Sequence, residues 1–195
     1  MGALAHRPTE QNLVYQPFSS DDHHIICRLP ELIKESVFNI FGFAYRHKIR
    51  YLGDVDDIPA KKLCGITSVI SFTGDQIGLI TLHFPKNSAI DIVRKFTGLS
   101  LPYDSDDMSD FIGELANLII GDFVALLEER DTFVSMGLPW VIRGQDLDIL
   151  KTSAAVKPMK FAISENEFFI KIQARSKPRN GRKGPDLLQS STTLN

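Results

Sequence analysis

The feature that most constrains the fold is a long amphipathic helix predicted over residues 109–129. Apolar residues recur there at helical spacing and surround most of its circumference, so most of the helix should be buried. One narrow line is different: Asp110, Glu114, Asn117 and Gly121 follow one another at steps of four, three and four residues. Those steps stack side chains on one helical face. A carboxylate and an amide therefore point the same way, and Gly121 leaves room there for a close approach.

The same residues also have a purely structural interpretation. Ser109 or Asp110 would be the helix N-cap, with acidic side chains in the first turn complementing the helix dipole. Asn117 would then be a buried amide bonded to neighbouring backbone, or a solvated residue. Asn is a mediocre helix former, however, and helix propensity gives no reason for an Asn in the middle of this helix. Both interpretations stay open at the level of the local sequence.

Length and composition predict one folded domain between two tails. The chain has 195 residues, of which 43% are hydrophobic, enough for a core that folds unaided. We expect a flexible N-terminal tail over residues 1–27, a folded domain over 28–175 and a disordered tail over 176–195. The last tail is basic, with Lys177, Arg179, Arg182 and Lys183.

Charge and cysteine content exclude several classes of protein. A net charge of -2 is too balanced to favour nucleic acid or an anionic membrane as a partner. No apolar run approaches the ~18 residues of a membrane span, and the first residues lack the apolar core of a signal peptide. Cys27 and Cys64 stand apart, without the spacing of a metal site or a disulfide framework. We therefore expect a cytoplasmic chain with no metal site of its own.

Two further helices are predicted on either side of a hairpin. Pro30 should open a helix that runs to about Arg46, and Pro85 should precede a helix that Gly98 ends. The acidic stretch 104–107 is expected to be a solvated loop before the long helix. Its position beside Asp110 would also let it meet a basic partner surface.

The remaining segments predict strands. Residues 63–72 and 76–84 should form a hairpin across Gly74-Asp75, and residues 156–163 and 168–175 a second hairpin. A strand over 133–142 contains Gly137 and Pro139, so it should be bent or lie at a sheet edge. The order is α-β-β-α-α-β-β-β. It predicts an α+β fold, a largely antiparallel sheet with helices packed on one face.

No self-contained catalytic apparatus is visible in the sequence. It has no glycine-rich phosphate loop, no Gly-x-Ser-x-Gly, no His-Glu-x-x-His and no Cys/His cluster. Its five histidines are scattered, and His83, within a predicted strand, should have a structural role. An enzyme with this sequence would have a sparse catalytic apparatus.

The order of elements and three stretches resemble the CheX branch of the CheC/CheX/FliY family of bacterial chemotaxis phosphatases. The likeness covers residues 29–175, and the Glu-x-x-Asn motif occurs once, as in CheX. The matching stretches are Phe72-Thr73-Gly74-Asp75-Gln76-Ile77-Gly78 leading into Leu82-His83-Phe84-Pro85, then Gly113-Glu114-Leu115-Ala116-Asn117-Leu118-Ile119-Ile120-Gly121, and Leu138-Pro139-Trp140-Val141-Ile142-Arg143-Gly144.

The resemblance implies an activity and a partner. Such proteins hydrolyse the aspartyl-phosphate of a CheY-like response regulator, which brings its own bound Mg²⁺ and a lysine. Asn117 would orient the attacking water, and Glu114 would pair with that lysine. Asp110, Gly113 and Gly121 would lie in the docking surface. The chain would need no cofactor of its own and would form a homodimer through strands, with the bent strand at 133–142 and the C-terminal hairpin as candidates.

The main alternative is a non-catalytic module. The same scaffold would then bind a receiver domain or a flagellar-switch component, or mediate dimerisation, without turnover. A weaker third hypothesis is a small-ligand sensor. Burial of Asn117 against its own sheet would exclude the enzyme.

Overall fold

The chain folds into one antiparallel sheet covered by helices, as the sequence predicts. A computed structural model describes residues 20–44, 47–58, 64–144 and 157–176. The helices are α1 (Ser20–Phe38), which continues as a π-helix over Asn39–Ala44, α2 (Lys86–Thr97) and α3 (Asp106–Glu128). The strands are β1 (Ile49–Asp54), β2 (Gly65–Gly74), β3 (Gln76–Pro85), β4 (Val134–Met136), β5 (Trp140–Gly144), β6 (Met159–Ile163) and β7 (Asn166–Ser176).

Every strand pairing described is antiparallel, which confirms the predicted α+β class. The sheet runs β1-β6-β7-β3-β2, and both β4 and β5 pair with β2 at the far edge. The two predicted hairpins are β2–β3 and β6–β7. Because β6 and β7 lie in the middle of the sheet, the C-terminal hairpin joins β1 to the rest of the fold.

The helices pack together on one face of the sheet, and aromatic rings fill the space between the layers. Phe41 of the π-helix lies with its ring centroid 5.4 Å from that of Phe96 in α2 and 5.3 Å from that of Phe168 in β7. Phe96 also contacts Phe111 of α3, and Phe72 of β2 contacts Phe123 of α3. A buried Phe contributes about 2–3 kcal/mol, so this layer is a main source of stability.

The first helix begins earlier than the sequence indicated. Pro30 lies inside α1, so the prediction that it opens the helix was wrong. A proline in a helix interior removes one backbone hydrogen bond and costs about 3 kcal/mol or more. Here the complete burial of Leu29 and Ile33 holds the helix against the core on both sides of it. Residues 1–19, 45–46 and 177–195 lie outside the described residues, and the domain limits at 28 and 175 stay a prediction.

The sequence analysis did not predict strand β1, which lies between the first predicted helix and the first predicted hairpin. It is an edge strand with only Ile49 buried among its six residues. Its partner is β6, so nothing in the local sequence specifies the pairing.

The strand predicted over 133–142 is an edge strand interrupted by a bulge. Met136 pairs with Phe72 and Trp140 with Val69, while the Gly137 N–H donates to the Ser71 carbonyl over 2.8 Å. Two residues, Leu138 and Pro139, therefore stand opposite Ile70 alone, which is the signature of a β-bulge. The predicted bend at a sheet edge is confirmed.

The bulge reverses the side-chain alternation along this edge. Beyond it, Val141 packs on the core and the Arg143 guanidinium donates to the Ser105 carbonyl over 2.8 Å and to the Ser109 hydroxyl. Both residues face α3. Trp140 and Ile142 consequently point away from the helices and are 75% and 45% exposed.

Candidate functional site

Helix α3 begins one turn earlier than predicted. Its N-cap is Ser105, whose hydroxyl accepts a hydrogen bond from the Met108 N–H at 3.2 Å, so neither Ser109 nor Asp110 caps the helix. Asp106 and Asp107 form the first turn, where carboxylates complement the helix dipole. The stretch expected to be a solvated loop therefore supplies the cap and first turn of this helix.

Contacts on the inner side fix the rotation of α3 about its axis. Its buried residues include Ile112, Leu115, Ala116, Ile119, Ile120 and Phe123. The Ser36 hydroxyl of α1 donates to the Ile119 carbonyl, and the Asn39 amide donates to the Asp122 carboxylate at 3.0 Å. Because α3 is held against both α1 and the sheet, the orientation of its outer face is determined.

The outer side of α3 carries the predicted polar line. Asp110 and Glu114 are exposed, and Asn117 and Gly121 are partly exposed. Within the described part of the chain, neither Glu114 nor Asn117 makes a hydrogen bond or an ion pair. Asn117 is thus not buried against its own sheet, and its carboxamide is available to a partner. We call the outward-facing residues Asp110, Glu114, Asn117 and Gly121 the α3 ridge.

The two glycines of the motif have different environments. A Cβ built on Gly121 meets nothing within 4 Å, so the ridge is open there. Gly113 is buried, and a Cβ at that position would lie 3.5 Å from Val141 Cγ2 and 3.8 Å from Pro139 Cγ. Gly113 therefore faces the edge strand of its own chain and not the outer surface of the helix.

Sequence reasoning missed two exposed leucines beside the ridge. Leu118 of α3 is 43% exposed, and Leu138 in the bulge is 83% exposed. The helical pattern had assigned Leu118 to the buried stripe. The signal for Leu138 was its position between Gly137 and Pro139, which indicated a bend but not the direction of the side chain.

The polar environment at the N-terminal end of the ridge is acidic. Asp106, Asp107, Asp110 and Glu114 are all exposed. The nearby cation, Arg143, bonds to the first turn of α3 and so is held against its own chain. This end of the ridge suits a basic partner group.

Tyr103, just before α3, is a structural residue rather than a reactive one. Burial raises the pKa of its phenol above the ordinary value, and the nearby Cys64 acts in the same direction. The Lys86 ammonium lies 4.9 Å from the centroid of its ring. Tyr103 stays neutral at physiological pH and packs against the hydrophobic core.

Other candidate groups do not form a second site. In the part of the chain that the structure describes, no group of three His, Cys, Asp or Glu side chains is placed to hold a metal ion. His83 is fully buried, and its Nδ1 lies 2.7 Å from the Thr67 hydroxyl, which confirms its structural role. No helix among the described residues is long and apolar enough to cross a membrane.

Comparison with known proteins places this arrangement in context. Residues 66–161 match the family model "Chemotaxis phosphatase CheX". No curated protein sequence matches the chain. The segment matched by the family model includes the whole α3 ridge and the bulged edge strand.

Solved structures share the fold at low sequence identity. The chemotaxis protein CheX from Vibrio vulnificus superposes with a TM-score of 0.67 at 18% identity, covering 76% of this chain and 99% of that chain. CheX from Desulfovibrio desulfuricans superposes with a TM-score of 0.66 at 21% identity, covering 76% of this chain and 99% of that chain. A chain of the CheX–CheY–BeF3–Mg²⁺ complex from Borrelia burgdorferi superposes with a TM-score of 0.61 at 14% identity, covering 77% of this chain and 97% of that chain.

Proposed function

We propose that this chain, which is CheX-like in its matched segment and in its fold, is a phosphatase for the aspartyl-phosphate of a CheY-like response regulator. The observation that carries the proposal is the α3 ridge. Glu114 and Asn117 lie on one outward face of a rigidly held helix, and neither makes a hydrogen bond or ion pair with any other described residue. The CheX–CheY complex from Borrelia burgdorferi supports the class of partner.

A sparse site suits this reaction. Phosphoryl transfer depends mainly on positioning and on stabilising charge, and an amide that orients water is an established device. The regulator supplies the phosphoaspartate, its Mg²⁺ and a lysine. The water oxygen bonds to phosphorus as the bond to the aspartate oxygen breaks, which releases inorganic phosphate and regenerates the carboxylate.

Asn117 has the chemistry needed for the positioning step. Its carboxamide has both an acceptor and donors, so it holds the water and a phosphoryl oxygen at once. No hydrogen bond of the Asn117 side chain within the described part of the chain has to break before it can do this.

Glu114 has a different role, which is to hold the bound regulator in a fixed orientation. It lies one turn before Asn117 on the same face, about 5–6 Å away between Cβ atoms. Its carboxylate pairs with the regulator's lysine while Asp110 adds negative charge one turn earlier. Removing Glu114 leaves that lysine desolvated without a partner, which costs more than the loss of an exposed ion pair.

Phosphate release from phosphorylated receiver domains tests the proposal. The comparison is wild type, Asn117→Ala and Glu114→Ala, with Mg²⁺ present and receivers taken from the same genome. We expect Asn117→Ala to lower the saturated rate by about 10²-fold with binding retained, and Glu114→Ala chiefly to weaken binding. The exposed residues Asn87 and Glu165, away from α3, provide matched controls when each is changed to Ala.

The same assay distinguishes the non-catalytic alternative. Tight binding of a receiver with no acceleration of phosphate release, unchanged in Asn117→Ala, would make the chain an adaptor. Absence of both binding and turnover with every receiver of that genome would refute the proposed partner class.

The proposal includes a homodimer. Within the described residues β5 pairs with β2 alone, so its outer backbone groups form an open sheet edge. Trp140 and Ile142 add exposed apolar surface there. The C-terminal hairpin is a poorer candidate because β6 and β7 are paired on both sides.

A further inference from the structure

The bulge places a leucine on the surface that a regular strand would bury. Before the bulge, Met136 stands opposite Phe72 and packs on the core. Alternation would bring residue 138 opposite Ile70 and onto the same buried face. The extra residue displaces Leu138 instead, and its side chain is 83% exposed. A single-residue insertion thus converts a core position into an exposed apolar one.

The backbone that presents Leu138 is held on both sides. The Gly137 N–H bonds to the Ser71 carbonyl over 2.8 Å, and a Cβ at Gly137 would lie 2.7 Å from Ser71 Oγ, so that the Ser71 side chain would have to shift. Pro139 restricts the backbone on the other side and packs near Gly113. An apolar side chain on such a backbone loses little conformational entropy when it becomes buried in a complex.

Leu138 borders the α3 ridge. Its neighbour Pro139 packs beside Gly113, the residue immediately before Glu114 and one turn before Asn117. On the helical wheel Gly113 lies to one side of the ridge and Leu118 to the other. The polar ridge is therefore flanked by an exposed leucine on each side.

A receiver that docks on the ridge comes close to this leucine, because the next residue, Pro139, packs beside Gly113. Asn117 has to come within about 3 Å of the attacking water, so the rim of the receiver's phosphorylation site lies directly over the ridge. A polar rim would be desolvated against Leu138 without a hydrogen-bond partner, at a cost of about 1–3 kcal/mol for each group. The complementary surface on the receiver is consequently apolar.

We propose that Leu138 is an apolar docking anchor for the receiver, seated against an apolar side chain at the rim of its phosphorylation site. This inference rests on the proposed phosphatase function and extends it. Leu138 determines how tightly a receiver binds and which receiver is preferred. Asn117 determines how fast the bound phosphoaspartate is hydrolysed.

Affinity and turnover of matched variants test the anchor. The probes are the CheY-like receivers of the same genome, loaded with beryllofluoride and Mg²⁺ for binding and phosphorylated for turnover. We expect Leu138→Ala to raise Kd about tenfold, with the rate at saturation unchanged. Leu138→Met should restore most of the affinity because it restores apolar volume. Leu52→Ala is the control, since Leu52 is 42% exposed on β1 at the opposite edge of the sheet.

Each contrary result identifies what failed. A Kd for Leu138→Ala equal to that of Leu52→Ala, with active wild type, overturns the anchor alone. Two other results also overturn it: a drop in the saturated rate like that of Asn117→Ala, or weakened self-association with unchanged receiver affinity. The wild type could bind a receiver without ever accelerating hydrolysis. A higher Kd for Leu138→Ala would in that case support the anchor, and the phosphatase proposal would be refuted. If wild type neither binds nor acts on any receiver, both proposals fail.

Discussion

Two asparagines in neighbouring helices show how one residue type serves different purposes. Asn39 donates to the Asp122 carboxylate at 3.0 Å and fastens the π-helix to α3. Asn117 lies on the opposite side of α3 and makes no such bond to any residue that the structure describes. Asn in mid-helix costs a few tenths of a kcal/mol relative to Ala, and no hydrogen bond among the described residues offsets that cost at position 117. The available amide is what a partner-facing role requires.

Gly121 offers a test in which stability and binding should move in opposite directions. The space around its Cα is empty, so Gly121→Ala should raise the free energy of unfolding by about 0.5–1 kcal/mol through helix propensity. The added methyl group should weaken receiver binding, because it stands where a partner approaches the ridge. Urea unfolding and a receiver titration measure the two effects.

Gly78 is the control for that experiment. A Cβ there would collide with the Gln173 carbonyl and the Phe72 ring, so Gly78→Ala should destabilise the fold. If Gly121→Ala strengthened receiver binding, or left it equal to wild type, the close approach assigned to Gly121 would be wrong.

At the scale of single elements, the bulge depends on a specific steric fit between two strands. A Cβ at Gly137 would lie 2.7 Å from Ser71 Oγ, a short side chain that is able to turn away. We expect Gly137→Ala to lower the free energy of unfolding by about 1–2 kcal/mol. In a Ser71→Ala background the same change should cost distinctly less, because the colliding oxygen is absent.

A double-mutant cycle of these two positions measures the coupling. Additive effects of Gly137→Ala and Ser71→Ala would show that the penalty comes from the backbone at Gly137 rather than from its contact with Ser71. Denaturant unfolding of the four proteins in the cycle is sufficient for this test.

The elements differ in whether the local sequence is sufficient to predict them. Helix α3 and the hairpins β2–β3 and β6–β7 were predictable, since periodicity and turn residues act within one segment. Helical spacing placed Glu114 and Asn117 on one face of α3 for the same reason, whereas the roles proposed for them came from the family resemblance. Strand β1 and the exposure of Leu138 were not predictable, because each depends on register with a distant strand. The early start of α1 was missed because a proline is usually found in the first turn of a helix, whereas Pro30 lies inside α1.

At the scale of the whole molecule, the α3 ridge and the exposed face of β5 point to different surfaces. Glu114 and Asn117 lie on the helical side, whereas Trp140 and Ile142 point away from the helices. Two copies joined through β5 would therefore leave each ridge accessible to its own receiver. Dimerisation and catalysis should be separable by mutation.

Ile142→Lys tests that separation. A charge on the open edge should oppose strand pairing between copies, so sedimentation analysis should show a shift from dimer to monomer. Phosphate release per chain should change by less than about twofold, because Ile142 does not face α3. A wild-type chain that is monomeric at all concentrations would refute the dimer, and an inactive Ile142→Lys monomer would refute the independence of the two surfaces.

The position of β6 and β7 in the middle of the sheet has a consequence for how the chain is made. Arg50 of β1 bonds to the Ser164 carbonyl, 114 residues further along the chain. While the ribosome is still synthesising the region before β6, β1 has no partner and the β3 edge is open. Long-range pairings of this kind slow folding, and unpaired edges favour aggregation. Synthesis of the β6–β7 hairpin closes the sheet, so these two strand edges stay unpaired until that hairpin has formed.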